Sequence, residues 1–325
     1  MPMSNFSGGF ADGISIRGLP LTVAQPGEIF WVGNSTALVR GQKGGSDGNN
    51  GTFNAPFATL DYAIGRCTAG RGDIIMVRPG HTETISSATA LALDVAGVAV
   101  IGLGTGTARP TFTLDTANTA TIAVSAANVT LYNLLFVGNF LSIATVFTLT
   151  TAANFNVDSC EFRDTSSILG FLTIVTTSST ANAADGLTMV NNLVTSASTS
   201  ATAMVILAGT TARLTLRRNR VFHSGATNNV AAFLEHGALV VSNALIESNM
   251  VYSVNTDTAT GALLIKTTAT TGSGIVRDNV VRALDVAAAL IITAGAVQYG
   301  MFNNLYIGDG TQNSGFLLPA VGSDA

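Results

Sequence analysis

One apolar skeleton returns eight times between about residue 98 and residue 306, and it limits what this chain can fold into more than any other feature. Its clearest copy is Leu214-Thr215-Leu216-Arg217-Arg218-Asn219-Arg220-Val221. With Asn219 taken as position zero, apolar residues stand at minus five, minus three and plus two. The pattern has its zero at Leu103, Leu134, Cys160, Asn192, Asn219, Asn249, Asn279 and Asn304. That is a spacing of about 29 residues, within the range of stacked repeats.

Position minus three holds Val100, Leu131, Val157, Met189, Leu216, Ile246, Val276 and Met301. Position plus two holds Thr105, Phe136, Phe162, Val194, Val221, Val251, Val281 and Tyr306. Alternation at period two is the strand signal, and matching columns mean that each strand lies on its counterpart in the next copy. The zero column turns from Leu and Cys to Asn192, Asn219, Asn249, Asn279 and Asn304. A buried Asn is costly unless its amide is paired. A stack of them at strand spacing lets each side chain bond the next, which predicts an internal asparagine ladder.

A second apolar run lies between anchors: Val146–Leu149, Phe171–Val175, Met204–Leu207, Phe233–Leu234, Leu263–Ile265 and Leu290–Ile292. Two or more strands per turn, joined by Thr, Ser, Ala, Asn and Gly, predict an all-β parallel β-helix solenoid. The leucine framework of a leucine-rich repeat is absent.

Only 10% of residues are charged against 47% hydrophobic, so the surface must be polar but mostly uncharged. No apolar run is long enough to span a membrane. With 15 basic and 19 acidic residues and no basic cluster beyond Arg217, Arg218 and Arg220, nucleic acid is not expected as a partner. Two cysteines make no disulfide framework, and Cys160 falls in the inward zero column. The opening Met1-Pro2-Met3-Ser4-Asn5-Phe6 lacks the basic and apolar regions of a secretory signal.

The chain divides into residues 1–44, an extended arm without the repeat; 45–80, a capping loop, helix and first strand; 81–307, the coils; and 308–325, a capping tail. The arm carries Phe6, Ile16, Leu19, Ile29, Phe30 and Trp31 as apolar anchors for a partner, the alternative being an arm folded back along its own solenoid. In the cap, Pro56 followed by Phe57, Leu60, Ala63 and Ile64 on one face predicts a short helix, with Ile74–Val77 as the first strand.

These opening segments carry Asp47-Gly48-Asn49-Asn50-Gly51-Thr52, Pro56-Phe57-Ala58-Thr59-Leu60 and Gly72-Asp73-Ile74-Ile75-Met76-Val77-Arg78-Pro79-Gly80. They resemble the start of pectin-lyase-like right-handed parallel β-helix proteins, and the resemblance extends over about residues 45–307. It implies fold rather than activity, because polysaccharide lyases, glycosidases, phage tailspikes and phage virion proteins share the solenoid. With the arm included, the chain resembles a bacteriophage virion protein of this type, made in the host cytoplasm.

Candidate chemistry is sparse. Glycoside hydrolysis needs two carboxylates across a groove, for which Asp158, Glu161 and Asp164 stand nearest. Arg217 and Arg220 are the candidates for a lyase base. Against this, Arg217, Glu247 and Arg277 share position minus two on consecutive coils, which predicts a surface ladder of alternating charge. His81, His223 and His236 lack the surrounding signatures of the polygalacturonase-like hydrolases. Asp47-Gly48-Asn49 reads as a turn rather than a Ca²⁺ loop, because Gly51 fills the next ligand position. No catalytic residue, metal or cofactor is indicated.

Position plus one should face outward, yet it carries Leu135, Leu193, Met250, Val280 and Leu305. With Leu245, Ile275, Val190 and Phe302 they suggest an apolar stripe and hence a subunit interface. The expectation is a homotrimeric structural protein of a virion, a capsid decoration or cement protein attached by its arm to the major capsid protein or another virion protein. The alternative is a tail or head spike that binds or cleaves a host surface glycan.

Overall fold

The structure is a computed structural model that describes residues 15–16, 19–20, 27–36, 41–225, 232–253, 263–267, 272–282, 298–307 and 315–316. Its described strands form a parallel β-solenoid whose coils stack into sheets of ten, ten and seven strands. The central coils contribute one strand to each sheet in chain order, as in Asn156–Asp158, Glu161–Asp164 and Thr173–Thr177, and Gly315–Phe316 adds an antiparallel edge to the second sheet.

The first sheet reproduces the minus-three column residue for residue. Val100 pairs with Leu131, Leu131 with Val157, Val157 with Met189, and Met189 with Leu216. Leu216 continues to Ile246, Val276 and Met301. The second sheet reproduces the plus-two column from Phe136 through Phe162, Val194, Val221, Val251 and Val281 to Tyr306. Thr105 does not belong to it: the partner of Phe136 is Phe112. That coil turns its corner through a longer path, with a 3-10 turn at Gly106–Ala108 and left-handed Gly104 and Gly106, so its second strand starts only at Thr111.

In later coils the corner between the first two sheets takes one residue. Asn133, Ser159, Asn191, Arg218, Ser248, Asp278 and Asn303, all at position minus one, have φ between 53° and 59°. This left-handed conformation redirects the chain in one step, and Asn and Asp tolerate it best among residues with a Cβ. The zero residue that follows then points inward.

The interior is apolar and continuous from Val32 to Val281. Phe112, Phe136 and Phe162 stack along the second sheet with centroids 5.8 and 5.3 Å apart. Phe147 meets Phe136 edge-on at 5.1 Å, joining the third sheet to that stack.

The N-terminal end differs from the expected plan. Ile29–Val32 is a strand of the first sheet, paired in parallel with Ile74–Val77, so Ile74–Val77 is that sheet's second strand and the arm cannot extend to residue 44 as a free element. Phe30 points into the core and Val32 is fully buried, which explains why this apolar segment prefers its own solenoid. Ile29 remains half exposed, and Trp31 packs edge-on against Phe53 at 4.8 Å. Ile16 and Leu19 lie in a short antiparallel pair whose side chains are outside the described set, as is Phe6. The run Leu290–Ile292 also lies outside the described residues.

The outer edge of Ile29–Val32 is covered by the loop that follows. Trp31 N–H donates to the Gly51 carbonyl, and its own carbonyl accepts from Phe57 N–H. The helix spans Leu60–Gly65, later than Pro56, because Thr59 is the residue that caps it. Thr59 Oγ1 accepts from Tyr62 N–H and Glu83 Oε2 from Leu60 N–H, satisfying two free donors of the first turn. Leu60, Ala63 and Ile64 join the apolar cluster of the first coil.

Candidate functional site

The inward corner of the solenoid carries the asparagine ladder. Asn192, Asn219, Asn249, Asn279 and Asn304 are each at most 1% exposed. Every rung repeats one pattern: the Oδ1 of one Asn accepts both the backbone N–H and an Nδ2–H of the Asn one coil before. Asn219 thus donates from N at 3.0 Å and from Nδ2 at 3.0 Å to Asn249 Oδ1. The remaining Nδ2–H reaches back to a carbonyl of the first sheet, from Asn219 to Met189 and from Asn249 to Leu216. At the upstream end Cys160 N–H donates to Asn192 Oδ1, so the Cys column continues the same pattern without the amide.

A second buried polar column lies at position plus four, which the column reading left aside although the sequence marks it: Asp164, Ser196, His223 and Ser253. Asp164 faces inward, not into a groove, because plus four has the same strand parity as the core residue at plus two. Its carboxylate accepts from Phe171 N–H, Ser196 Oγ–H, Ala197 N–H and Ser198 N–H. Burial pushes its pKa up, and these four donors pull it partly back. His223 Nε2 donates to the Ser198 carbonyl at 3.0 Å, so its Nδ1 accepts from Ser253 Oγ at 3.2 Å. His236 takes the opposite tautomer: Nδ1 donates to the Leu239 carbonyl, and Nε2 accepts from Tyr299 Oη at 3.2 Å.

Ser, His and Asp here are not a nucleophilic triad. Ser196 is bonded to Asp164, while both nitrogens of His223 are taken by other partners. The adjoining cavity, between Phe162, Phe171, Met204, Val221 and Phe233, is about 40 Å³. That is room for roughly one water and not for a sugar.

Burial holds both His223 and His236 below the ordinary value of 6.5. The unfolded chain therefore takes up protons that the native chain refuses, and native stability falls as pH drops through 6.5. The limiting slope is about 1.4 kcal/mol per pH unit for each histidine. Urea unfolding at pH 7.5 and pH 5.5 should show the loss, and His223→Gln should reduce it.

The outward carboxylates are held in ion pairs and hydrogen bonds. Glu161 sits between Arg109 at 2.9 Å and Arg163 at 2.5 Å. Asp158 accepts from Ser159 Oγ and Asn191 Nδ2. Glu247 lies between Arg217 at 3.1 Å and Arg277 at 2.7 Å, the charge ladder that position minus two implies. Asp47 accepts from Ala58 N–H, Thr59 N–H and Thr59 Oγ1, the bonding of a turn. Among the described residues no group of three or more His, Cys, Asp or Glu could hold a metal ion.

The outward apolar residues fall on two sheets. Val190, Leu245, Ile275 and Phe302 belong to the first sheet, whereas Leu193, Met250, Val280 and Leu305 belong to the second, across the asparagine corner. Leu135, at 8% exposure, is already buried within the chain and has little surface left for a partner. Met250 is 38% exposed; Leu193, Val280 and Leu305 are half-buried. Sequence reading missed the neighbouring column at plus three, which period two also turns outward: Phe222, Tyr252 and Arg282. Phe222 and Tyr252 stand 6.4 Å apart, with Arg220 over the first ring at 5.3 Å and Arg282 over the second at 4.7 Å. With Met250, Val251 and Val280 they line a shallow groove of about 320 Å³.

Fold and site together define the class: a parallel β-solenoid with a polar inner ladder and an apolar outer face. The chain is similar in structure to a rhamnogalacturonan lyase, with 13% identity and a TM-score of 0.34 over 86% of this chain and 87% of that one. At that level the likeness bears on neither substrate nor chemistry. No family model matches the sequence, and no curated protein matches it.

Proposed function

We propose that this chain is a structural β-solenoid that assembles with two further copies through the outer face of its second sheet and catalyses no reaction. The observation that carries this reading is the groove of Phe222, Met250, Tyr252 and Val280, where apolar side chains of adjacent coils line one shallow surface. The engagement of Glu161, Asp158, Asp164 and Glu247 supports the non-catalytic half, since a general acid or base must be free to exchange its proton with substrate. Arg220 and Arg282 cover the two aromatic faces that a sugar ring would stack on.

The test is a double substitution, Met250→Glu with Val280→Glu. Both side chains point outward, so the monomer fold should persist by circular dichroism while the assembly dissociates in sedimentation velocity. An unchanged sedimentation coefficient would remove this face as the interface. In its finer form the reading is a bacteriophage capsid decoration protein attached through its N-terminal residues, which rests on the β-helix fold taken together with the apolar residues that precede it in the sequence. Because Ile29–Val32 is part of the sheet, attachment falls to the residues before Gly27, and the capsid-binding surface is proposed there.

A further inference from the structure

Arg78 follows the strand Ile74–Val77 and is 2% exposed. Its guanidinium lies over the Phe53 ring at 5.4 Å, and Nη2 donates to the Phe53 carbonyl. Nε and Nη1 have no hydrogen-bond partner. Arg71, Arg109, Arg163, Arg217 and Arg277 each pair with a carboxylate, but among the described residues none pairs with Arg78. A buried cation without a counter-charge is among the costliest groups a protein can hold, and burial accordingly lowers this arginine's proton affinity.

The surroundings are shaped around that side chain. Gly33 leaves space for its stem, since a Cβ there would come within 2.7 Å of Arg78 Cδ. Asn34 locks the facing turn: Nδ2 donates to the Gly80 carbonyl at 2.8 Å, and Oδ1 accepts from Thr82 N–H at 2.9 Å. Between them Asn34, Thr36, Arg78, Pro79 and Gly80 line a pocket of about 110 Å³. Ser35 and Thr36 are exposed, and Thr36 stands at the pocket's mouth.

We propose that Arg78 anchors a binding site for a small oxyanion, a phosphate, sulfate or carboxylate, which supplies the counter-charge that no described residue provides. The anion accepts along one edge of the guanidinium, from an unpartnered nitrogen, Nε or Nη1, and the second hydrogen of Nη2, with the Thr36 hydroxyl at the mouth as a further donor. Charge-assisted bonds of this kind are the strong ones, and a guanidinium is the side chain best shaped to give them. The site lies beside the first coil, away from the groove of Met250 and Tyr252, and does not depend on the assembly proposed above.

The experiment is calorimetric titration of the full chain with sodium phosphate, sulfate and acetate at constant ionic strength, with chloride as reference. Saturable binding of at least one is expected, weakened about tenfold or more by Arg78→Met. Arg78→Met should itself keep or raise the unfolding midpoint without added anion, because it removes an unpaired buried charge. No saturable binding to the wild type, or equal binding to Arg78→Met, overturns the proposal. Should that variant fail to fold, Thr36→Val at the exposed mouth takes its place, and unchanged affinity there has the same meaning.

Discussion

Asn249→Leu is expected to destabilise the solenoid by about 3–6 kcal/mol, a large share of what a domain has in total. Leu has the branching and heavy-atom count of Asn but is larger, so no cavity opens and the loss comes from stranded polar groups with some overpacking. Asn219 N–H and one of its Nδ2–H groups lose their only acceptor, Asn249 Oδ1. The Leu216 carbonyl loses the Nδ2–H of residue 249. All of these groups are sealed from water, and a buried donor left alone costs about 1–3 kcal/mol. The effect should be local at first, because each coil touches only its neighbours. Hydrogen exchange should therefore accelerate from the Met189 strand to the Val281 strand before the early coils change. A urea midpoint within experimental scatter of wild type would mean that the ladder does not hold the corner.

Phe136→Ala is expected to cost about 3–5 kcal/mol. Phe136 is 1% exposed and is the one ring that touches Phe112, Phe147 and Phe162 together, at 5.8, 5.1 and 5.3 Å. Removing it opens a hole at the junction of two sheets, where parallel strands hydrogen-bonded on both sides cannot move inward to fill it. Phe136→Leu should recover more than half of the loss. The comparison of the two variants by thermal unfolding separates a packing defect from the weaker aromatic contribution of about 0.5–1.5 kcal/mol per pair.

What the sequence revealed follows from which contacts recur. The minus-three and plus-two columns are legible because every coil meets the same packing demand, and the asparagine ladder because one residue type solves one bonding problem five times. Thr105 misled because a longer corner with Gly104 and Gly106 slides the next strand without disturbing the apolar count. Phe30 is obscure in sequence because the irregular stretch between it and Ile75 breaks the repeat spacing, although in the sheet it extends the minus-three column through Ile75 to Val100. Asp164 resembled an outward carboxylate until the parity of plus four is applied, which places it with Ser196, His223 and Ser253 inside. The left-handed column at minus one was written in Asn133, Asn191, Asp278 and Asn303, but Ser159, Arg218 and Ser248 dilute it. Arg78 could not be found from sequence at all, since nothing local distinguishes an arginine that pairs with no carboxylate among the described residues.

The outer face of the second sheet is expected to join three copies of the chain. Sedimentation equilibrium of the full chain tests it directly. The expected mass is three times 33.2 kDa and persists on dilution to micromolar concentration. A single species at 33.2 kDa across the same range would contradict it and leave the groove of Phe222, Met250, Tyr252 and Val280 to some other partner.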